Sequence, residues 1–213
     1  MIPCLMITYN RLEYTKRALA AALESDFDKV IVIDNGSTDD TVDWLQRQDH
    51  PKLFVKFHNG ESSTIASAMN RFLYITQRCH VVGKVDNDTI IPNNFVNRMI
   101  SGLQVADIVQ AKHPILKATH PDGFDAWVKT MPSQGCVRFN HFVGGSGILF
   151  KRDIIDEVPE TDWALGGWRE FQRRKPLLKK AFVTDVEIQL LDTDENGADY
   201  SKYPEYYTET RRL

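Results

Sequence analysis

The chain lacks most of the features that mark specialised protein classes. Its three cysteines, Cys4, Cys79 and Cys136, are odd in number and widely spaced, which argues against a disulfide framework, and no Cys-x-x-Cys pair suggests a zinc site. Long hydrophobic runs are missing too; Val30 to Ile33 is typical of the longest, far too short to span a bilayer. Met1 to Leu5 has neither the basic start nor the apolar stretch of a signal peptide, so a soluble, cytoplasmic protein is expected. Positive charge is not in excess: 26 basic residues face 29 acidic ones, a net −3, and no overall field draws a nucleic-acid backbone. Internal repeats, low-complexity tracts and the Gly-x-x-x-x-Gly-Lys-Ser/Thr phosphate loop are all absent. What is present is 213 residues with 42% hydrophobic side chains, enough for one domain with its own core.

The first hundred residues alternate two periodicities. Ile2 to Thr8, Lys29 to Asp34, Leu53 to Phe57 and His80 to Val85 are short apolar runs suited to strands covered on both faces. Between them lie helical stripes, one through Leu12, Leu19 and Leu23, another from Ser62 to Arg78 through Ile65, Met69, Phe72, Leu73 and Thr76. Asn10 is the expected cap of the first helix, with Glu13 in capping-box spacing, and Ser37 or Thr38 that of the second. This order predicts an α/β fold with a mostly parallel central sheet flanked by helices. The later half is less regular. Phe95 to Leu103 reads as helix and Ile108 to Ala111 as strand. His113 to Arg138, with three prolines, reads as a long irregular loop, and Gly144 to Gly147 as a glycine-lined strand entry. One more strand falls within Ala181 to Leu191, and the tail from Asp192 is polar. We divide the single domain, 1–213, into a regular first half, 1–103, and a less regular second half with the polar tail, 104–213.

In parallel sheets, ligands sit beyond the carboxyl ends of the strands. The polar residues there are Thr8-Tyr9-Asn10-Arg11, Asp34-Asn35-Gly36 and Asp86-Asn87-Asp88. Two carboxylates spaced as Asp86 and Asp88 suit a hard divalent cation that bridges phosphates. Helix starts beside these strand ends favour anions.

Met6 to Arg11, Val32 to Thr41 and Lys84 to Pro92 together resemble the GT-A glycosyltransferases of family 2, in order and spacing, over roughly the first hundred residues. A fainter likeness continues through Gly144 to Asp153. The short length also resembles virus-encoded capsid glycosyltransferases. The resemblance implies a GT-A, Rossmann-like fold and transfer of a sugar from a nucleotide-diphosphate donor, first of all a UDP-sugar, to a hydroxyl on a glycan or glycoprotein acceptor, with Mn²⁺ or Mg²⁺. It implies that Thr8, Tyr9 and Arg11 line the base and ribose pocket and that Asp34 accepts from the nucleoside. Asp86 would stand near the ribose or diphosphate with Asn87 also in the donor site, Lys84 would neutralise phosphate or point away as a surface lysine, and Asp88 would be the main metal ligand, with Asp86 beside it. Asp192, His113 or His141 would complete the metal shell, and Trp127, Trp163 or Trp168 would stack on a sugar or pack in the core.

The Glu-Asp pair that the family often carries as its base is missing here. Glu170 and then Asp162 are the candidates, with Asp185 and Glu187 behind them, and inverting and retaining chemistry both stay open. Two other readings compete. Asp86-Asn87-Asp88-Thr89 also resembles the nucleophile motif of haloacid-dehalogenase phosphatases, and the fold is compatible with a non-catalytic nucleotide- or carbohydrate-binding module. The glycosyltransferase resemblance makes 1–103 the nucleotide-sugar-binding half and 104–213 the acceptor-side half, and the polar end of the sequence is compatible both with a whole protein and with one domain of a longer chain.

Overall fold

A computed structural model describes residues 1–58, 64–112, 123–160, 166–194 and 197–198. Nine strands form one sheet. In chain order the strands are β1 (Pro3–Thr8), β2 (Lys29–Asp34), β3 (Leu53–Phe57), β4 (Val81–Lys84), the short β5 (Thr89–Ile90), β6 (Ile108–Lys112), β7 (Ser133–Gln134), β8 (Val137–Asn140), β9 (Ile148–Lys151), β10 (Lys180–Glu187), β11 (Gln189–Leu190), β12 (Thr193–Asp194) and β13 (Gly197–Ala198). The large sheet has the order β3-β2-β1-β4-β9-β6-β10-β8-β7; β11 pairs with β5, and β12 with β13. Only β9 and β8 run against the other strands of the large sheet, so it is mostly parallel.

The helices are α1 (Leu12–Glu24), α2 (Thr41–Gln46), α3 (Ile65–Ile75), α4 (Phe95–Met99), α5 (Gly123–Lys129) and α6 (Gly166–Arg174). They lie on two faces because successive strand residues point to opposite sides. Cys4, Met6, Val30 and Val32 pack with Ala18, Leu19 and Ala22 of α1, Leu45 of α2 and Phe95 of α4. Leu5, Ile31 and Ile33 pack instead with Met69, Phe72 and Leu73 of α3 and with Trp168 and Phe171 of α6. Strands that must be apolar on both faces are the physical reason the sequence shows unbroken hydrophobic runs there. Gly83 sits where α1's end crosses β4; a Cβ there would come within 2.5 Å of the Phe27 ring. Burial pushes the Cys4 thiol up, so Cys4 behaves as a small apolar core residue.

Several expectations need correction. Asn10 does not cap α1: the residue before the helix is Arg11, left-handed at φ 61°, and the Asn10 side chain instead accepts from Thr38 N at 2.7 Å. Glu13 pairs with Lys16 rather than closing a capping box. Ser37 and Thr38 do not cap α2; Asp39 Oδ1 accepts from Thr41 N at 3.0 Å. Thr64 caps α3, accepting from Ser67 N, so the helix begins at Ile65, three residues beyond the expected start at Ser62. The stretch read as an irregular loop contains α5, β7 and β8, while 113–122 lies outside the described residues. Proline and glycine marked the breaks there, and two-residue strands leave too little alternation to detect.

Candidate functional site

The carboxyl ends of β1, β2 and β4 are tied into one hydrogen-bonded floor. Asn10 and Arg11 follow β1 and are both left-handed, at φ 54° and 61°. Consecutive non-glycine residues of this kind are costly and persist only where neighbours hold them. Here the neighbours are the β2 loop and the β4 loop. Asn10 N donates to Ser37 Oγ at 2.7 Å, and Asn10 Oδ1 accepts from Thr38 N. Arg11 Nη2 donates to Asn87 Oδ1 at 2.6 Å, while Arg11 Nη1 lies 3.0 Å from Asp88 Oδ2 and 3.6 Å from Asp192 Oδ2.

Asp34 ends β2 and is 1% exposed. Its Oδ1 accepts from Gly36 N and Ser37 N, each at 3.0 Å, and its Oδ2 from Thr8 Oγ1 at 3.0 Å and Ser37 Oγ at 2.5 Å. Four donors fill the lone pairs of a carboxylate. The expected acceptance from a nucleoside therefore requires Thr8 or Ser37 to give way; as it stands, Asp34 shapes the turn that faces the crevice. Tyr9 is half-buried beside it.

The Asp86-Asn87-Asp88 segment splits its three side chains. Asp86, with its side chain 39% exposed, reaches the mouth and pairs with Lys84 Nζ, which also donates to Gly145 O at 2.7 Å. Lys84 is therefore buried at the crevice rather than pointing away as a surface lysine would. Asn87 turns inward and does not face the crevice: beyond Arg11, its Nδ2 donates to Thr15 Oγ1 of α1 at 3.0 Å. Asp88 is buried, and burial first, then the like charge of Asp192, pushes its carboxyl above the ordinary value against the opposing pull of Arg11.

Asp192 reaches Asp88 because β11 pairs with β5 and Leu191 N donates to Asp88 O at 2.8 Å. Asp88 and Asp192 make an all-oxygen donor pair of the kind hard cations prefer. No group of three His, Cys, Asp or Glu side chains poised to hold a metal occurs among the described residues, so phosphate oxygens and water would supply the remaining ligands. The residues fit such an ion in their chemistry.

Ser146, which sequence reasoning did not single out, supports the segment from the far side. Its hydroxyl accepts from Asp86 N at 2.9 Å and shares a 2.9 Å bond with Thr89 Oγ1. Gln110 holds the Ser146 loop, donating to Ser146 O at 2.9 Å and accepting from Gly144 N at 2.6 Å. A Cβ at 144 would come within 2.7 Å of that amide, which explains the glycine. The Gly-Gly-Ser-Gly run was the available signal.

The acceptor-side expectations fare differently. Glu170 lies on α6 and is clamped by Arg173 Nε at 2.6 Å and Arg174 Nε at 2.7 Å. These bonds hold its carboxyl down at about 2, a poor value for a general base. Asp162, Trp163 and His113 lie outside the described residues. Asp185, Glu187 and His141 are exposed, and Glu187 is 3.9 Å from Lys112. Trp168 packs in the core, 5.6 Å from the Phe171 ring, with Nε1 donating to Val143 O and Gly144 O. Trp127 packs edge-on to Phe182 at 5.6 Å.

Residues 4–158 match the family model described as glycosyl transferase family 2. Among solved structures, S. aureus TarS 1–349 in complex with UDP-GlcNAc superposes with a TM-score of 0.63 at 17% identity, covering 99% of this chain and 64% of that one. The mannosyltransferase PcManGT from Pyrobaculum calidifontis, in complex with GDP-Man and Mn²⁺, gives 0.65 at 17% identity, covering 91% and 57%. GalNAc-T7 with UDP, GalNAc and Mn²⁺ gives 0.68 at 8% identity, covering 99% and 47%. The chain spans less than two thirds of the length of each. No curated protein sequence matches it significantly. Among the described residues, no helix is long and apolar enough to cross a membrane.

Proposed function

The chain belongs to glycosyl transferase family 2, and on that premise we propose that the crevice over β1, β2 and β4 binds a uridine-diphosphate sugar with Mn²⁺ or Mg²⁺ and passes the sugar to a hydroxyl of a glycan or glycoprotein. The observation that carries this reading is the joining of three strand ends by Asn10 and Arg11, which brings Thr8, Asp34, Asp86 and Asp88 to one crevice. The uridine preference draws on TarS, solved with UDP and UDP-GlcNAc, and the cation on PcManGT and GalNAc-T7, both solved with Mn²⁺. The strand-four position of Asp86 and Asp88, inside the matched family region, favours this over the phosphatase reading.

In this reading Asp88 and Asp192 hold the cation, and Asp86 stands at the mouth beside the ribose and diphosphate. A bound cation offsets the negative charge that builds on a departing diphosphate. Tyr9 and the Asp34–Ser37 turn bear on the nucleoside, with Thr8 bracing the turn. Lys84 places a second positive charge below Asp86, and Arg11 balances Asp88 and Asp192 from beneath. Asn87 and Ser146 position the segment without touching donor. Glu170 keeps its two arginines, and the acceptor's proton goes to Asp162, which stands just before α6 outside the described residues.

The test is a thermal-shift series with UDP, GDP and their sugars, with and without Mn²⁺. UDP should raise the melting temperature most, and Mn²⁺ should enlarge the shift. Absence of a shift with every nucleotide refutes the donor site, and an undiminished Mn²⁺ effect in Asp88→Asn removes Asp88 as ligand. Asp162→Asn should lose turnover while keeping the UDP shift; normal turnover removes it as base.

A further inference from the structure

The edge of the sheet opposite the crevice has a contrasting chemistry. Residues 169–180 contain six basic side chains and one acidic, a net +5, in a chain whose net charge is −3, so the remaining residues carry −8. The segment ends α6 and turns into β10 at its amino end, where Lys180 is in register with Ile108. Leu177 stands at the tip of that turn, 95% exposed, the most exposed large apolar side chain among the described residues. Lys175, Pro176 and Lys179 beside it are exposed, and so are Arg173 and Arg174. Glu170 neutralises part of the arginine charge and Asp107 engages Lys151, but Lys175 has no ion-pair partner among the described residues. A cavity of about 590 Å³ opens here, lined by Leu177 with Val105, Phe139, Lys151 and Lys179, and by Asp107, whose charge Lys151 meets.

We propose that this edge docks the protein onto an anionic membrane surface, with Leu177 entering the headgroup layer and Arg173, Arg174, Lys175 and Lys179 facing acidic lipids. A soluble partner of acidic character would satisfy the charges but gives no reason for an isolated leucine held out on a proline turn. A bilayer satisfies both, since apolar insertion and polybasic attraction are the two signals that peripheral binding combines. Strand polarity sets the orientation. The basic turn precedes β10 and the crevice lies beyond the carboxyl ends of parallel strands, so the donor site opens away from the lipid at a remove of about 15 Å. The membrane then holds the enzyme without occupying its crevice, and the inference does not depend on the identity of the donor.

The test is co-flotation of the full chain with vesicles of equimolar phosphatidylserine and phosphatidylcholine, against vesicles of phosphatidylcholine alone. The protein should float only with the acidic vesicles and should be released by added salt. Lys175→Glu combined with Lys179→Glu should weaken binding by at least about tenfold, at roughly 1 kcal/mol per basic residue. Leu177→Ser should weaken it with the charge intact, and both variants should keep the wild-type UDP thermal shift. Failure to float with acidic vesicles overturns the proposal, as does equal flotation of the charge-reversed variant. Capture by polyglutamate beads that is lost in the charge-reversed variant, without flotation, overturns it in favour of an acidic protein partner.

Discussion

The two halves of the molecule, 1–103 and 104–213, are built by different means. In the first half, short segments directly after parallel strands line the crevice, and each is fixed by a neighbour in the same sheet. Asn10 leans on the β2 loop, Arg11 on the β4 loop, and Asp34 folds its own turn. In the second half the decisive contacts come from far along the chain: Ser146 beneath Asp86, Gln110 beneath Ser146, Asp192 beside Asp88. The parallel strands β1, β2 and β4 bring local sequence to the crevice in chain order, whereas β6, the loop before the antiparallel β9 and the chain after β11 each deliver a single residue from a remote position.

The sharpest way to break this contrast is Arg11→Ala. Arg11 joins the two halves by facing Asn87, Asp88 and Asp192 at once, and its loss leaves the buried Asp88 and the part-buried Asp192 carboxylates uncompensated. Stability should fall by about 3–5 kcal/mol in urea unfolding, as when one partner of a buried ion pair is removed. A loss near zero makes Arg11 a peripheral residue. Asp88→Asn should next cost more than about 100-fold in cation affinity, read by titrating Mn²⁺ against bound UDP, since even outer-shell changes cost up to that much. Asp34→Asn turns an amide toward donors it cannot accept from. It should destabilise the fold by about 1–3 kcal/mol, whereas a variant of wild-type stability with weaker UDP binding shows Asp34 contacting donor directly.

The smallest effect belongs to the second half. Glu170→Gln should leave turnover unchanged, because the carboxylate serves its arginines. Its folded value, about 2, lies below the ordinary 4.5, so its ion pairs stabilise above pH 4.5 and that contribution is lost as pH falls toward 2. Melting curves of wild type and Glu170→Gln should therefore converge over that window, and a gap that widens on acidification contradicts the pairing.

The same contrast explains what the sequence makes legible. Val30 to Ile33 advertises a doubly covered strand because both its faces meet helices, and Asp34 with Gly36 and Ser37 advertises the turn because three hydrogen bonds join those neighbouring residues. The placement of α3's buried face follows from Met69, Phe72 and Leu73 at helical spacing. The caps of α1 and α2 are misleading for a physical reason: Asn10, Ser37 and Thr38 have side chains suited to capping, but bonds between the two loops claim Asn10, Ser37 and Thr38. Asp192 gives no local sign of its place, since only the pairing of β11 with β5 carries it to Asp88. Glu170 attracts attention as an isolated acid after glycines, yet the arginines three and four residues on decide its partners.

β9 fills the slot between β4 and β6 although it is made after both, and it runs antiparallel to each. A nascent chain released only as far as β8 therefore has two central strands with open edges and nothing between them, a template for pairing with other chains. Synthesis of Ile148–Lys151 closes that gap, so chains that end before β9 leave these edges open and are expected to aggregate more than chains that include it.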